Sequence, residues 1–307
     1  MSTTVESVKS VKSKSIWAYL QLMRPANIVT AWADILLGYA AAGAVTMDEN
    51  LNLVVLGWLI LATTGLYGGG VVFNDVCDAQ LDAVERPERP LPSGRASLSV
   101  AILLGTGLLL MGIVAAAMVS GLSAILATIV AITALLYDKY GKHQTVLGPL
   151  NMGACRGGNL LLGVSAVTEA VGDRWYLASI PIIYIAAITA ISQGEVYGGK
   201  KTTGIAAIAL IFLVIGSIVG LGLLPEYTLL VTLPFLTLFT ALVLPPFVKA
   251  ATTPSPELIQ TAVKAGVLSL IVLDATIAAG FANWIYGLLL LALLPVSRLL
   301  ARIFAVT

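Results

Sequence analysis

Ten stretches of mostly apolar residues, separated by short polar segments, run along the chain: 27–45, 51–73, 98–119, 121–137, 147–167, 176–194, 204–224, 227–248, 258–281 and 284–303. A run of about 20 apolar residues, helical at about 1.5 Å per residue, crosses the hydrocarbon of a bilayer. Most of these runs have no polar face, which a water-exposed helix would need. The pattern predicts an all-α fold, a polytopic transmembrane helical bundle of about 9–10 helices around a central cavity. The count is least secure at the end, where only Phe281-Ala282-Asn283 separates the last two runs.

The basic residues test that count, because Lys and Arg concentrate in the cytoplasmic loops of membrane proteins. With the N-terminus placed in the cytoplasm, fifteen of the seventeen basic residues fall in inside segments, from Lys9, Lys12, Lys14 and Arg24 through Arg86, Arg89 and Arg95 to Arg298 and Arg302. The predicted outside loops hold Arg174 and otherwise acidic residues such as Asp48, Glu169 and Glu226. The alternation supports eight spans up to Lys249, and Arg298 and Arg302 favour ten over nine. It places the polar cap of the bundle on the cytoplasmic side of a bacterial inner membrane or an organelle membrane. Residues 1–15 are rich in Ser, Thr, Lys and Val and read as a flexible tail, with 16–307 forming one transmembrane domain.

Composition narrows the chemistry. Of 307 residues 58% are apolar and 11% charged, against about 25% charged in an ordinary soluble domain. The net charge of +1 gives no general attraction to nucleic acid. Two cysteines, Cys77 and Cys155, and the single His143 are too few for a disulfide framework or a Cys/His zinc site. A metal here would be held by oxygen.

The longest polar stretch between spans, 74–97, carries that oxygen. Asn74, Asp78 and Asp82 are spaced four apart, so at about 100° per residue each is displaced by about 40° from the last and the three form one helical stripe. Such a stripe suits Mg²⁺, which keeps waters and shares its shell with substrate phosphates. Arg86, Arg89 and Arg95 follow and would suit an anion bridged to the metal. The plainer alternative is a solvated acidic loop that caps the next helix.

The segment Asn74-Asp75-Val76-Cys77-Asp78-Ala79-Gln80-Leu81-Asp82, followed by Arg89-Pro-Leu-Pro-Ser-Gly94, resembles the motif that ends the second helix of the UbiA superfamily of intramembrane prenyltransferases. Arg24-Pro25-Ala26-Asn27 resembles the family's amino-terminal R-P-x-N element, and Tyr137 to Lys142 occupies the place of its tyrosine- and lysine-bearing loop. The resemblance implies a membrane-embedded enzyme that moves a prenyl group, with Mg²⁺ assistance, from a prenyl diphosphate to an aromatic or lipid-like hydrophobic acceptor. It implies Asn74, Asp78, Asp82 and Glu195 as metal and catalytic groups. Arg24, Asn27, Arg89, Lys139, Lys142, Arg156, Lys200 and Lys201 become candidate substrate contacts. The family's second motif, D-x-x-x-D, has only its first carboxylate here: Glu195 is present, but Gly199 stands where the second aspartate belongs, followed by Lys200 and Lys201. A lysine can neutralise a phosphate charge without a metal. That departure admits an alternative, a catalytically altered relative that binds or moves a polyprenyl lipid.

Inside the spans, Arg24, Asn27 and Asp34 share a face of the first helix, and Arg156 and Asn159 share a face of the fifth. Ionisable groups at such depth usually face a cavity or pair with one another. Arg156 could hold a buried carboxylate, Asp34 or Asp274, or could touch substrate. Gly65 and Gly68-Gly69-Gly70 predict close helix packing and an irregular helix end. His143 reads as an interfacial loop residue, and Cys77 faces away from the Asn74 stripe.

Overall fold

The computed structural model describes residues 16–45, 52–141, 144 and 146–304. The expected tail at 1–15, together with Lys142 and His143, lies outside the described residues. The described residues are helical with short connections. A short helix α1 (16–23) leads into α2 (Pro25–Ala41), α3 (Leu53–Cys77), α4 (Ala79–Glu85), α5 (Leu98–Ala117), α6 (Gly121–Lys139) and α7 (Leu147–Val164). Then follow α8 (Ala170–Arg174), a 3₁₀ turn (Trp175–Ala178), α9 (Ser179–Ser192), α10 (Lys201–Leu221) and α11 (Leu229–Thr252). The chain closes with α12 (Pro256–Leu268), α13 (Leu270–Phe281), α14 (Trp284–Leu291) and α15 (Leu293–Phe304).

Each of the ten apolar runs is occupied by helix. Eight helical stretches among the described residues are long and apolar enough to cross a membrane, three of them composite: 170–192, 256–281 and 284–304. The other two predicted spans are α2, with 17 residues, and α7, whose apolar run is interrupted by Asn151, Arg156 and Asn159. The separation of the last two spans has a local cause. Asn283 accepts a hydrogen bond from the Tyr286 N–H at 3.0 Å and so starts α14 with a side-chain cap. By contrast, the break between α12 and α13 leaves the backbone ladder intact, with Ser269 N–H on Ala265 C=O and Leu273 N–H on Ser269 C=O.

Burial divides the bundle into centre and rim. Every residue of α13 from Leu270 to Gly280 is buried, while α5, α6 and α10 leave Leu103, Ile125 and Phe212 exposed on faces that suit lipid tails. In a bilayer close packing replaces the hydrophobic drive between helices, and small residues permit it. A Cβ added at Gly38 on α2 would stand 2.3 Å from Leu160 O on α7, and one at Gly163 on α7 would stand 2.5 Å from Ile35 O. The two helices therefore touch backbone to backbone, which draws Asp34 against Arg156 and Asn159. Gly65 brings α3 against α5 in the same way. The expected irregularity at Gly68-Gly69-Gly70 is absent: α3 runs unbroken through them to Cys77, because packing on α5 supports the backbone there.

Candidate active site

The oxygen stripe survives the end of α3. Although Asp78 is a turn residue between α3 and α4, its N–H donates to Asn74 C=O at 3.0 Å and its C=O accepts from Asp82 N–H at 2.8 Å. The next bond, Arg86 N–H to Asp82 C=O at 2.8 Å, continues the ladder. The main chain thus keeps Asn74, Asp78 and Asp82 one helical turn apart.

The arginines are gathered by two loops. Arg24 breaks the chain between α1 and α2 in the left-handed region, φ 48°, the only non-glycine among the described residues with positive φ. The following Pro25 disfavours a right-handed helical conformation at residue 24, and the turn allows the Arg24 guanidinium to reach α3. Its Nη2 donates to Asp75 Oδ1 at 2.6 Å. In the second loop, Ser93 N–H bonds Arg89 C=O, Ala96 N–H bonds Pro90 C=O, and Gly94 takes φ 72°. This fold-back turns Arg89 onto Asp82 at 2.7 Å and within 3.7 Å of Asp75. The result is a linked chain, Arg24–Asp75–Arg89–Asp82, whose two carboxylates are buried. Arg95 ties the loop to α1 through Gln21 Oε1 at 2.8 Å.

Two residues that the stripe reasoning passed over belong to this cluster. Asp75 lies off the Asn74 face, about 100° around the helix, and serves the arginines instead; its place in the N-D-x-x-D wording was the available signal. Asp138, buried at the last turn of α6, accepts a hydrogen bond from Asn74 Nδ2 at 2.9 Å. Tyr137 beside it lies within electrostatic range of Asp78. Asn27 sits in the first turn of α2, its N–H on Arg24 C=O at 2.9 Å. Lys139 is exposed, its ammonium 5.1 Å from the Tyr140 ring. Lys142 lies outside the described residues.

The second motif follows α9. Burial pushes the Glu195 carboxyl above the usual carboxylate range, and the positive charges of Arg86 and Lys264 pull it partly back. Arg86, at the end of α4, thus lies within electrostatic range of Glu195. Gly199 looks elsewhere. A Cβ added there would stand 3.0 Å from Ile259 Cδ1 and 3.7 Å from Pro254 Cβ, on the wall of a 320 Å³ cavity lined by residues of α9, α10, α11 and α12 together with Lys200. Lys200 and Lys201 are exposed at the start of α10. Restoring the family's carboxylate with Gly199→Asp is therefore expected to leave turnover no higher than wild type in a product-formation assay. A several-fold rise would show that position 199 does reach the metal face.

Arg156 is brought to Asp34, not to the motif. Its Nε is 2.8 Å from Asp34 Oδ2 and its Nη2 donates to Thr30 C=O at 2.5 Å. Asn159 donates to Asp34 Oδ2 at 2.8 Å and accepts from Thr63 Oγ1 at 2.7 Å. Asp274, buried on α13, lies within electrostatic range of both Asp34 and Arg156.

The donor set at the end of α3 is all oxygen: one amide and neighbouring carboxylates, with no thiolate or imidazole among the groups just described. This fits Mg²⁺. Among the described residues no three His, Cys, Asp or Glu side chains gather into a ready-made metal cage, so water and substrate oxygens would have to complete the shell. That is the usual arrangement for Mg²⁺ shared with a phosphate ligand.

The sequence pattern of the UbiA prenyltransferase family matches residues 33–257. The chain belongs to this family. With its eight long apolar helices it is an integral multi-pass membrane protein. It is 32% identical over 151 residues to digeranylgeranylglyceryl phosphate synthase of Methanothrix thermoacetophila, covering 49% of this chain and 55% of that protein. It is 30% identical over 191 residues to the synthase of the same name from Methanoculleus marisnigri, covering 62% and 66%. The chain thus spans between about half and two thirds of the length of these two relatives. In fold it matches a UbiA homologue from Aeropyrum pernix with a TM-score of 0.65 at 17% identity, over 80% of this chain and 96% of the other. It also matches a UbiA homologue from Archaeoglobus fulgidus bound to GPP and Mg²⁺, with a TM-score of 0.58 at 17% identity, over 90% and 99%.

Proposed function

We propose that this protein transfers a prenyl group from a prenyl diphosphate to a hydrophobic acceptor, at the end of α3. The observation that carries the reading is the linked chain Arg24–Asp75–Arg89–Asp82 set beside the Asn74–Asp78–Asp82 stripe. One set of groups can share a cation with an anion, and the other can hold the anion. Support comes from the family, from relatives named for a prenylated glyceryl phosphate, and from the A. fulgidus homologue that holds GPP and Mg²⁺.

Asn74, Asp78 and Asp82, with Glu195 as an outer carboxylate, would hold Mg²⁺. When bound, the ion supplies a Lewis acid that takes up charge on the departing diphosphate. Arg24 and Arg89 can exchange a carboxylate for a phosphate oxygen without leaving the cluster, since a guanidinium offers five donors in a fixed fork. Lys139, Lys200 and Lys201, all exposed, are further cations that could meet the diphosphate. In the reaction the allylic C–O bond breaks with its electron pair going to the diphosphate, the acceptor's oxygen or carbon bonds the allylic carbon, and the acceptor's proton leaves to solvent. The apolar bundle around the site keeps competing water from that carbon. The distribution of basic residues supports a cytoplasmic position for this site and for the N-terminus.

The acceptor follows from less. The relatives' product carries a glyceryl phosphate, and a phosphate-bearing lipid acceptor would also suit the exposed pair Lys200 and Lys201. The deciding experiment supplies the purified protein with Mg²⁺, a series of prenyl diphosphates and membrane lipid extract, and reads products by mass spectrometry. The expected result is a Mg²⁺-dependent prenylated lipid with release of pyrophosphate. Retention of the diphosphate with no pyrophosphate released would overturn the reading.

A further inference from the structure

We propose that Asp138 is a positioning residue that fixes which end of the Asn74 amide faces the oxygen stripe. This rests on the prenyltransferase reading and adds to it a group that the stripe does not contain. Asn74 has two chemically different ends, an acceptor Oδ1 and a donor Nδ2, of nearly equal size. Only the oxygen end can serve a cation, and nothing in α3 itself selects it. Asp138 does. A carboxylate accepts hydrogen bonds and cannot donate one, so the amide must present Nδ2 to it, as it does at 2.9 Å. Its Oδ1 is thereby turned away from Asp138. The selecting group is held firmly: Asp138 is 4% exposed, on the last turn of α6, and the bond joins residues 64 positions apart in sequence. A charge-assisted bond of this kind is roughly twice as strong as a neutral one, and partners behind a metal ligand commonly change metal affinity about 10- to 100-fold when removed.

The chemistry predicts a specific pattern among variants. Asp138→Ala removes the selection and leaves Asn74 free to flip. Asn74→Asp sets two carboxylates against each other and disturbs both. The exchange Asn74→Asp/Asp138→Asn restores one amide donor facing one carboxylate, with an oxygen again turned away from the pair. A purely structural bond would recover stability in the exchange variant without affecting the cation.

The test titrates Mn²⁺, as a paramagnetic stand-in for Mg²⁺, into the purified full-length protein with a prenyl diphosphate analogue carrying sulfur at the bridging position. Bound ion is followed by electron spin resonance, alongside thermal melting. The expected result is half-saturation raised about 10-fold or more in Asp138→Ala, raised likewise in Asn74→Asp, and returned to within about threefold of wild type in the exchange variant, the two substitutions being strongly non-additive. Half-saturation within about twofold of wild type in Asp138→Ala would overturn the proposal. Where Asp138→Ala does not fold, the exchange variant decides, and failure to recover binding overturns it. Wild-type protein that binds neither analogue nor ion would sink the prenyltransferase reading itself, and this proposal with it.

Discussion

Asp78→Ala is expected to remove Mg²⁺-dependent prenyl transfer, lowering turnover by about a thousandfold or more, since a metal-held leaving group is stabilised by several kcal/mol in the transition state. The substitution should do this without unfolding the protein. Two main-chain bonds of residue 78 link α3 to α4, its N–H to Asn74 C=O and its C=O to Asp82 N–H, and alanine keeps both. Asp82→Ala makes a useful contrast. It too should lose activity, but it also takes from the Arg89 guanidinium its partner at 2.7 Å, so its melting temperature should fall. Product formation by mass spectrometry and thermal melting in detergent read the two effects separately. Turnover of Asp78→Ala within tenfold of wild type would remove this residue from the chemistry.

The contrast shows what the sequence made legible. The ten helical runs could be read from hydropathy, because lipid permits little else than a helix at such length, and the stripe could be read from a spacing of four. Tertiary pairing was not legible in the same way. Asp75 and Asp78 carry the same side chain three positions apart, and what marks out Asp75 is the reach of Arg24 from the turn between α1 and α2 and of Arg89 from the loop. Asp138 looked like one polar residue in a Tyr-Asp-Lys loop, and only the approach of the end of α6 to the end of α3 makes it the partner of Asn74. Conversely, Gly199 reads in sequence as a missing carboxylate. In the fold a Cβ at this position would point toward Ile259 and Pro254, neighbours that no spacing in the sequence announces.

Arg156 offers the second large effect, and here it is on stability. Its guanidinium is 6% exposed and its partner Asp34 is fully buried, so removing the cation leaves carboxyl groups of Asp34 and Asp274 facing each other with Asn159 as the remaining neutral donor. Breaking a buried pair from one side commonly costs about 3–5 kcal/mol, and Arg156→Leu is expected to fall in that range. The Thr30 carbonyl on α2 also loses its Nη2 donor. Asp34→Leu should cost less, although it removes the partner in closest contact. Asp274 lies close enough to act on Arg156 electrostatically, so the guanidinium keeps an acidic neighbour when Asp34 is gone, whereas the two carboxyls lose the cation that acts on both when Arg156 is gone. The order of melting temperatures in detergent is therefore wild type above Asp34→Leu above Arg156→Leu. An inverted order would mean that Asp274 does not share the charge. If instead Arg156→Leu melted with the wild type while losing product formation, the arginine would belong to the substrate and not to the frame that holds α2 against α7.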